Sequence, residues 1–100
     1  MIIIFKNWLW LINDSIFVYG IMRDSKYIYI GMTRKGIKRL LSNSHIINRR
    51  YGGIKETDQI HIWLCKERDV VELERMFIRT FKPKYNKQII EKRNKRRKRL

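Results

Sequence analysis

SIFVYGIMRDSKYIYIGM, residues 15–32, is the stretch that decides the fold. Residues 15–22 form an almost unbroken apolar run, and residues 26–32 form a second one rich in Tyr and Ile. Arg23-Asp24-Ser25 lies between them with the composition of a turn. Two such runs joined this way predict a β-hairpin whose first strand is buried on both faces. Turn length then decides where Tyr19 and Tyr29 point. A three-residue turn over 23–25 sets them directly opposite one another on one face, whereas a two-residue turn puts them on opposite faces. The three-residue turn is the expectation here. Phenols paired on one face are either a structural stack, since Tyr is a favoured strand residue, or part of a site.

Outward from the hairpin, residues 33–44 carry Ile37, Leu40 and Leu41 at helical spacing among basic residues, which predicts a helix. Residues 48–56 are polar around Gly52-Gly53 and read as loop. Residues 59–65 alternate, with Ile60, Ile62 and Leu64 on one side, and predict a third strand. Asp69 offers an N-cap for a helix reaching Phe81, where Lys82-Pro83 stops it. The expected class is α+β, a small three-stranded antiparallel sheet flanked by helices, with a basic C-terminal tail. The expected organisation is an extension over 1–14, one domain over 15–87 and the tail over 88–100.

Composition narrows the partners. In 100 residues there are 24 Lys and Arg against 9 Asp and Glu, a net charge of +15 that attracts polyanions, nucleic acid first and an anionic membrane second. A hydrophobic content of 44% supplies one modest core and argues against wholesale disorder. The single cysteine, Cys65, excludes an intramolecular disulfide and a multi-thiolate zinc site. Apolar residues 1–5 and 8–12 are interrupted by Lys6, Asn7, Asn13 and Asp14, well short of the ~20 that a membrane span needs. With no basic leader or small-residue cleavage site, the expectation is an intracellular protein, cytoplasmic or nucleoid-associated, with no membrane partner.

Glu74 is the residue most out of place. On a helical wheel Val70, Val71, Phe77, Ile78 and Phe81 form one stripe, with Glu72, Arg75 and Arg79 opposite, and Glu74 falls inside the apolar stripe. A carboxylate there needs a cation, because burying it alone costs several kcal/mol or more. That cation is either an arginine or a metal. Arg39, on the predicted first helix, carries a permanent charge that pairs bidentately with phosphate.

These features stand in a recognisable order. Phe17-Val18-Tyr19, Tyr29-Ile30-Gly31, Arg39 ten residues after the second tyrosine, and Glu74 twelve residues before Asn86 in a Glu…Pro83-x-Tyr85-Asn86 arrangement together resemble the GIY-YIG nuclease family. That family includes catalytic domains of homing endonucleases and excision-repair nucleases. The likeness spans Phe17 to about Asn86. It departs at Phe17, which stands where the family has glycine. It departs again at Asn43, where the family often has histidine or tyrosine, with His45 close by as a substitute.

The resemblance implies hydrolysis of a DNA phosphodiester with one divalent cation, Mg²⁺ or Mn²⁺, held by Glu74. It implies that Arg39 clamps the scissile phosphate, that Tyr19 or Tyr29 positions or deprotonates the attacking water, that His45 assists, and that Asn86 orders the site unless it serves only as a helix-end cap. A lone carboxylate suits Mg²⁺, which keeps several waters and takes one or two carboxylates. Lys35, Lys38 and the tail residues Lys92, Arg93, Lys95, Arg96, Arg97, Lys98 and Arg99 are the candidate DNA contacts, with the tail expected either to be mobile until bound or to be a solvated charged end or extended surface helix. The alternative is a non-catalytic nucleic-acid-binding domain on the same scaffold, which would have no use for a carboxylate facing DNA.

Overall fold

A computed structural model describes residues 1–12, 15–36, 38–42 and 45–98, apart from the side chains of Trp10, Leu11, Arg39, Arg97 and Lys98. Ile37, Asn43 and Arg99 lie outside the described residues. The strands are β1 (Ile2–Phe5), β2 (Phe17–Arg23), β3 (Lys26–Thr33) and β4 (Gln59–Leu64), and a 3-10 helix covers Lys6–Leu11. The α-helices are α1 (Lys38–Leu41), α2 (Ile46–Arg50), α3 (Glu67–Phe81) and α4 (Lys84–Lys98).

The class is α+β as expected, but the antiparallel sheet has four strands in the order β1-β4-β2-β3. The additional one is β1, whose Ile2–Phe5 pairs with β4. Apolar residues at the start of the chain therefore complete a sheet edge. A run this short carries no alternation by which to recognise a strand.

The sheet is packed on both faces. Phe17, Tyr19, Ile21, Ile60 and Ile62 face a cluster with Leu9, Leu40, Ile47 and Ile54, while Val18 and Ile30 face Val70 of α3. Period-two alternation in β2 feeds both layers, as its unbroken apolar sequence requires.

The hairpin corrects the expected turn. Asp24 and Ser25 alone form it, both with left-handed φ (51° and 64°), so Arg23 pairs with Lys26 and Met22 with Tyr27. A two-residue turn would separate the tyrosines. Between Ile21 and Met22, however, the register shifts by one residue and leaves Ile21 opposite Tyr29. The bulge restores the parity that the turn removes. Tyr19 now faces Gly31, and Tyr29 sits diagonally on the same face with ring centroids 6.1 Å from Tyr19. Gly31 is required there: a Cβ would lie 2.5 Å from the Tyr19 hydroxyl and 2.7 Å from Cζ.

The helix expected over 33–44 is much shorter. Thr33 belongs to β3, and its hydroxyl donates to the Gly36 carbonyl at 2.8 Å while accepting from the Lys35 N–H at 3.1 Å, which holds the chain in a turn before α1. Part of the expected loop is instead α2, capped by His45. Asn48 ties the two short helices together by donating to the carbonyls of Leu40 and Ser42 at 2.8 and 2.7 Å.

Helix α3 begins at Glu67 with Lys66 at its N-cap, so Asp69 lies in the first turn and acts on the helix dipole rather than as the cap. It ends where Lys82 turns left-handed (φ 47°) before Pro83, as the Lys-Pro pair predicted. The basic tail takes the form of a surface helix, the C-terminal part of α4, which runs to Lys98.

Away from the cleft, Arg23 grips Asp58 in a bidentate pair, with Nε donating to Oδ1 at 2.9 Å and Nη2 to Oδ2 at 2.8 Å. Asp58 is 1% exposed and also accepts from the Lys55 N–H at 2.8 Å. Burial pushes its carboxyl upward, but the hydrogen bonds from Arg23 and Lys55 outweigh that and hold it below the ordinary carboxylate value. Cys65 is a free thiol, and among the described residues no helix is long and apolar enough to cross a membrane.

Candidate active site

β3 is an edge strand, and an edge leaves backbone groups without a neighbour. Asn86 of α4 supplies them at Ile30: the Ile30 N–H donates to Oδ1 and Nδ2 donates to the Ile30 carbonyl, both at 2.8 Å. The buried amide thus substitutes for a neighbouring strand and fixes α4 along the edge. It is not a helix-end cap. The site forms around this closed edge, where groups from the two layers come together.

From one layer come the phenols. Tyr19 is 4% exposed, while Tyr29 is partly exposed. The Tyr19 hydroxyl lies 2.9 Å from His45 Nε2. His45 Nδ1 accepts from the Ile47 N–H at 3.1 Å, so this nitrogen carries no proton. In the neutral ring the proton is therefore on Nε2, which donates to the Tyr19 oxygen. His45 caps α2 and orients Tyr19 with the same ring, and the ring also stands edge-on to Tyr29 at 5.5 Å. Histidine is a rare N-cap, which is why the sequence shows no start signal for α2.

From the other layer comes Glu74. On α3 it stands between the sheet-facing residues Val70, Leu73, Phe77 and Ile78, half-buried. Burial raises its carboxyl above the ordinary value, opposed by the charges of Arg34 and Arg75. Among the described residues no salt bridge reaches Glu74.

Tyr19, Tyr29, His45, Glu74 and Asn86 all line one cleft of about 590 Å³. Leu40 of α1 is also part of its wall, and the backbone of Arg39 lies beside it in α1. Among the expected DNA contacts, Arg93 borders the cleft, whereas Lys35, Lys38, Lys92, Lys95 and Arg96 are exposed elsewhere. Arg49 borders it too and was missed, because residues 48–56 read as loop and one arginine in so basic a chain carries no signal of its own.

The donor set bears on what could be held. Among the described residues no group of three His, Cys, Asp or Glu is gathered as a metal cage. The cleft instead offers one desolvated carboxylate with phenol and amide groups around it. That fits a hard divalent cation that keeps most of its waters, and it does not fit zinc.

No protein-family model and no curated protein matches this chain. Solved structures do. The GIY-YIG N-terminal endonuclease domain of UvrC from Thermotoga maritima, bound to its catalytic divalent cation, magnesium, superposes with a TM-score of 0.67 at 24% identity, covering 80% of this chain and 92% of that one. A point mutant of the same domain bound to its catalytic divalent cation gives 0.64 at 26% identity, over 80% and 90% of the two chains. A further point mutant gives 0.67 at 23% identity, over 80% and 92%.

Proposed function

From the GIY-YIG nuclease fold that this chain has, we propose that it is a metal-dependent endonuclease that hydrolyses DNA phosphodiester bonds. The observation that carries the reading is Glu74, a carboxylate raised by burial, in a polar cleft lined by two tyrosines, a histidine and an amide. Glu74 would hold one Mg²⁺ or Mn²⁺, which when bound supplies polarisation of a phosphoryl oxygen and neutralisation of developing charge.

The rest is the work of the chain's own groups. The family resemblance assigns Arg39 to the scissile phosphate, where a permanent fork of donors matches two oxygens. Hydrolysis adds water across the P–O bond, so a base must reach that water from within the cleft. Tyr29 is the more accessible phenol and takes this role in our reading. Tyr19, buried against Gly31 and held by His45, positions Tyr29 and the hairpin face. Asn86 keeps the edge of β3 in place.

The direct test is incubation of the purified protein with supercoiled plasmid, in Mg²⁺ and in EDTA. Nicking only with Mg²⁺ supports the reading. DNA binding without nicking under both conditions would make the chain a non-catalytic binding domain.

The two tyrosines separate by substitution. Tyr29→Phe is expected to lower the single-turnover rate about 100-fold or more, the scale of one lost proton transfer. Tyr19→Phe should cost less, because His45 loses an acceptor but the ring keeps its packing. Equal losses, or a larger loss for Tyr19→Phe, would reverse the assignment.

Toward its C-terminal end helix α4 carries Arg93 bordering the cleft and Lys92, Lys95 and Arg96 exposed outside it. Deleting residues 92–100 removes seven Lys and Arg. With half of them on phosphates, the slope of log affinity against log salt should flatten by roughly three units on duplex DNA, at about 0.9 per contact. An unchanged slope in a salt titration would show that this end of α4 is only a solvated helix.

A further inference from the structure

Tyr85 and Asn86 are consecutive in α4 yet line different cavities. Asn86 belongs to the Glu74 cleft, while Tyr85 lines a second, open groove of about 660 Å³ at the turn end of the hairpin. The same division occurs on β3, where Tyr27 and Ile28 line the groove and Tyr29 and Ile30 line the cleft. The two cavities thus have lining residues that are neighbours in sequence on both β3 and α4.

The groove's lining combines charge with aromatic surface. Lys26, Lys82 and Lys84 are exposed on it and form no salt bridge among the described residues. Arg23 is neutralised by Asp58, and Asp24 offsets one lysine, so the groove stays positive. Phe81 is 44% exposed there, its ring 4.8 Å from that of Tyr27. It packs against Tyr27 and Phe77 yet stays exposed within the basic groove. It is a suitable platform for a nucleic-acid base, since every base has a π-face and stacking tolerates any sequence.

We propose that this groove binds single-stranded DNA beside the cut site, with a base stacked on Phe81 and the backbone held by Lys26, Lys82 and Lys84. The position beside a cut site rests on the nuclease reading; the binding itself does not. Its consequence is a substrate class: DNA with unpaired nucleotides next to the scissile bond should be preferred to uniform duplex.

The test measures affinity of the full chain in EDTA for a fluorescently labelled oligothymidine and for a blunt duplex. Phe81→Leu keeps apolar packing and removes the ring; it should weaken single-strand binding about tenfold, the scale of one lost stacking contact. The triple variant Lys26→Ala/Lys82→Ala/Lys84→Ala should flatten the single-strand salt slope by about two units, at roughly 0.7 per lost phosphate contact. A control triple variant, Lys6→Ala/Lys55→Ala/Lys66→Ala, removes equal charge elsewhere and should leave the slope near that of the unmodified protein. Unchanged single-strand binding in both groove variants would overturn the proposal. So would an equal loss in the control triple, or an equal loss on duplex, which would mark the groove as a general phosphate dock. In Mg²⁺, the protein should cut a duplex with a single-stranded extension faster than a blunt one, and the groove variants should lose that preference. If nothing is cut, the nuclease reading fails and the EDTA affinities alone decide the groove.

Discussion

Glu74→Gln is expected to lower metal-dependent strand cleavage by roughly a thousandfold or more, the rate equivalent of the several kcal/mol that a bound cation contributes. The same substitution should make the metal-free protein more stable. Burial raises the Glu74 carboxyl, so the folded chain holds that proton more tightly than the unfolded chain does. The resulting stability is present below the ordinary value of 4.5 and is lost as pH rises through the raised value. At neutral pH the wild-type carboxylate therefore opposes folding, and a neutral amide of the same shape does not. Melting curves in EDTA should show the variant a few degrees higher at neutral pH, converging with wild type in acid. A variant that nicks plasmid at the wild-type rate would remove Glu74 from the site. One that melts lower at neutral pH would mean that a cationic side chain, and not a metal, normally balances the carboxylate.

The second large effect lies away from the cleft. Asp58→Ala strands Arg23 and the Lys55 N–H, both of which now bond to that carboxylate. Breaking a buried pair from one side costs about 3–5 kcal/mol. A small domain has only about 5–15 kcal/mol in total, so the variant should be close to unfolding at 37 °C. Replacing both partners, as in Arg23→Met/Asp58→Leu, should recover part of the loss, because no charge is then left buried although the Lys55 N–H still lacks its acceptor. Urea titration of the two variants checks this, and a loss under about 1 kcal/mol for Asp58→Ala would show the pair to be a solvated contact. The pair also has a pH signature. The depressed carboxyl contributes stability above its ordinary value, and that contribution is lost as pH falls through the lowered one. Asp58→Ala should therefore lie furthest below wild type near neutral pH and draw closer in acid.

The sequence alone determined those elements whose signal is periodic or local. Unbroken apolar runs specify β2 and β3, alternation specifies β4, and a 3.6-residue stripe closed by Lys82-Pro83 specifies α3, because side-chain period follows directly from backbone geometry. The same stripe made Glu74 conspicuous, since a carboxylate in an apolar row stands out before any fold is known.

The tertiary structure decided what depends on distant partners. β1 is a strand because β4 offers it an edge, and nothing in Ile2–Phe5 itself requires pairing. The tyrosines share a face through a two-residue turn and a compensating bulge, and a one-residue shift in register carries no local sequence signature. His45 became the cap of α2 and the partner of Tyr19, and Asn86 closed the β3 edge across 56 residues of chain. Those roles arise from hydrogen bonds between layers, whose geometry exists only once the hydrophobic faces have packed and brought the polar groups within reach.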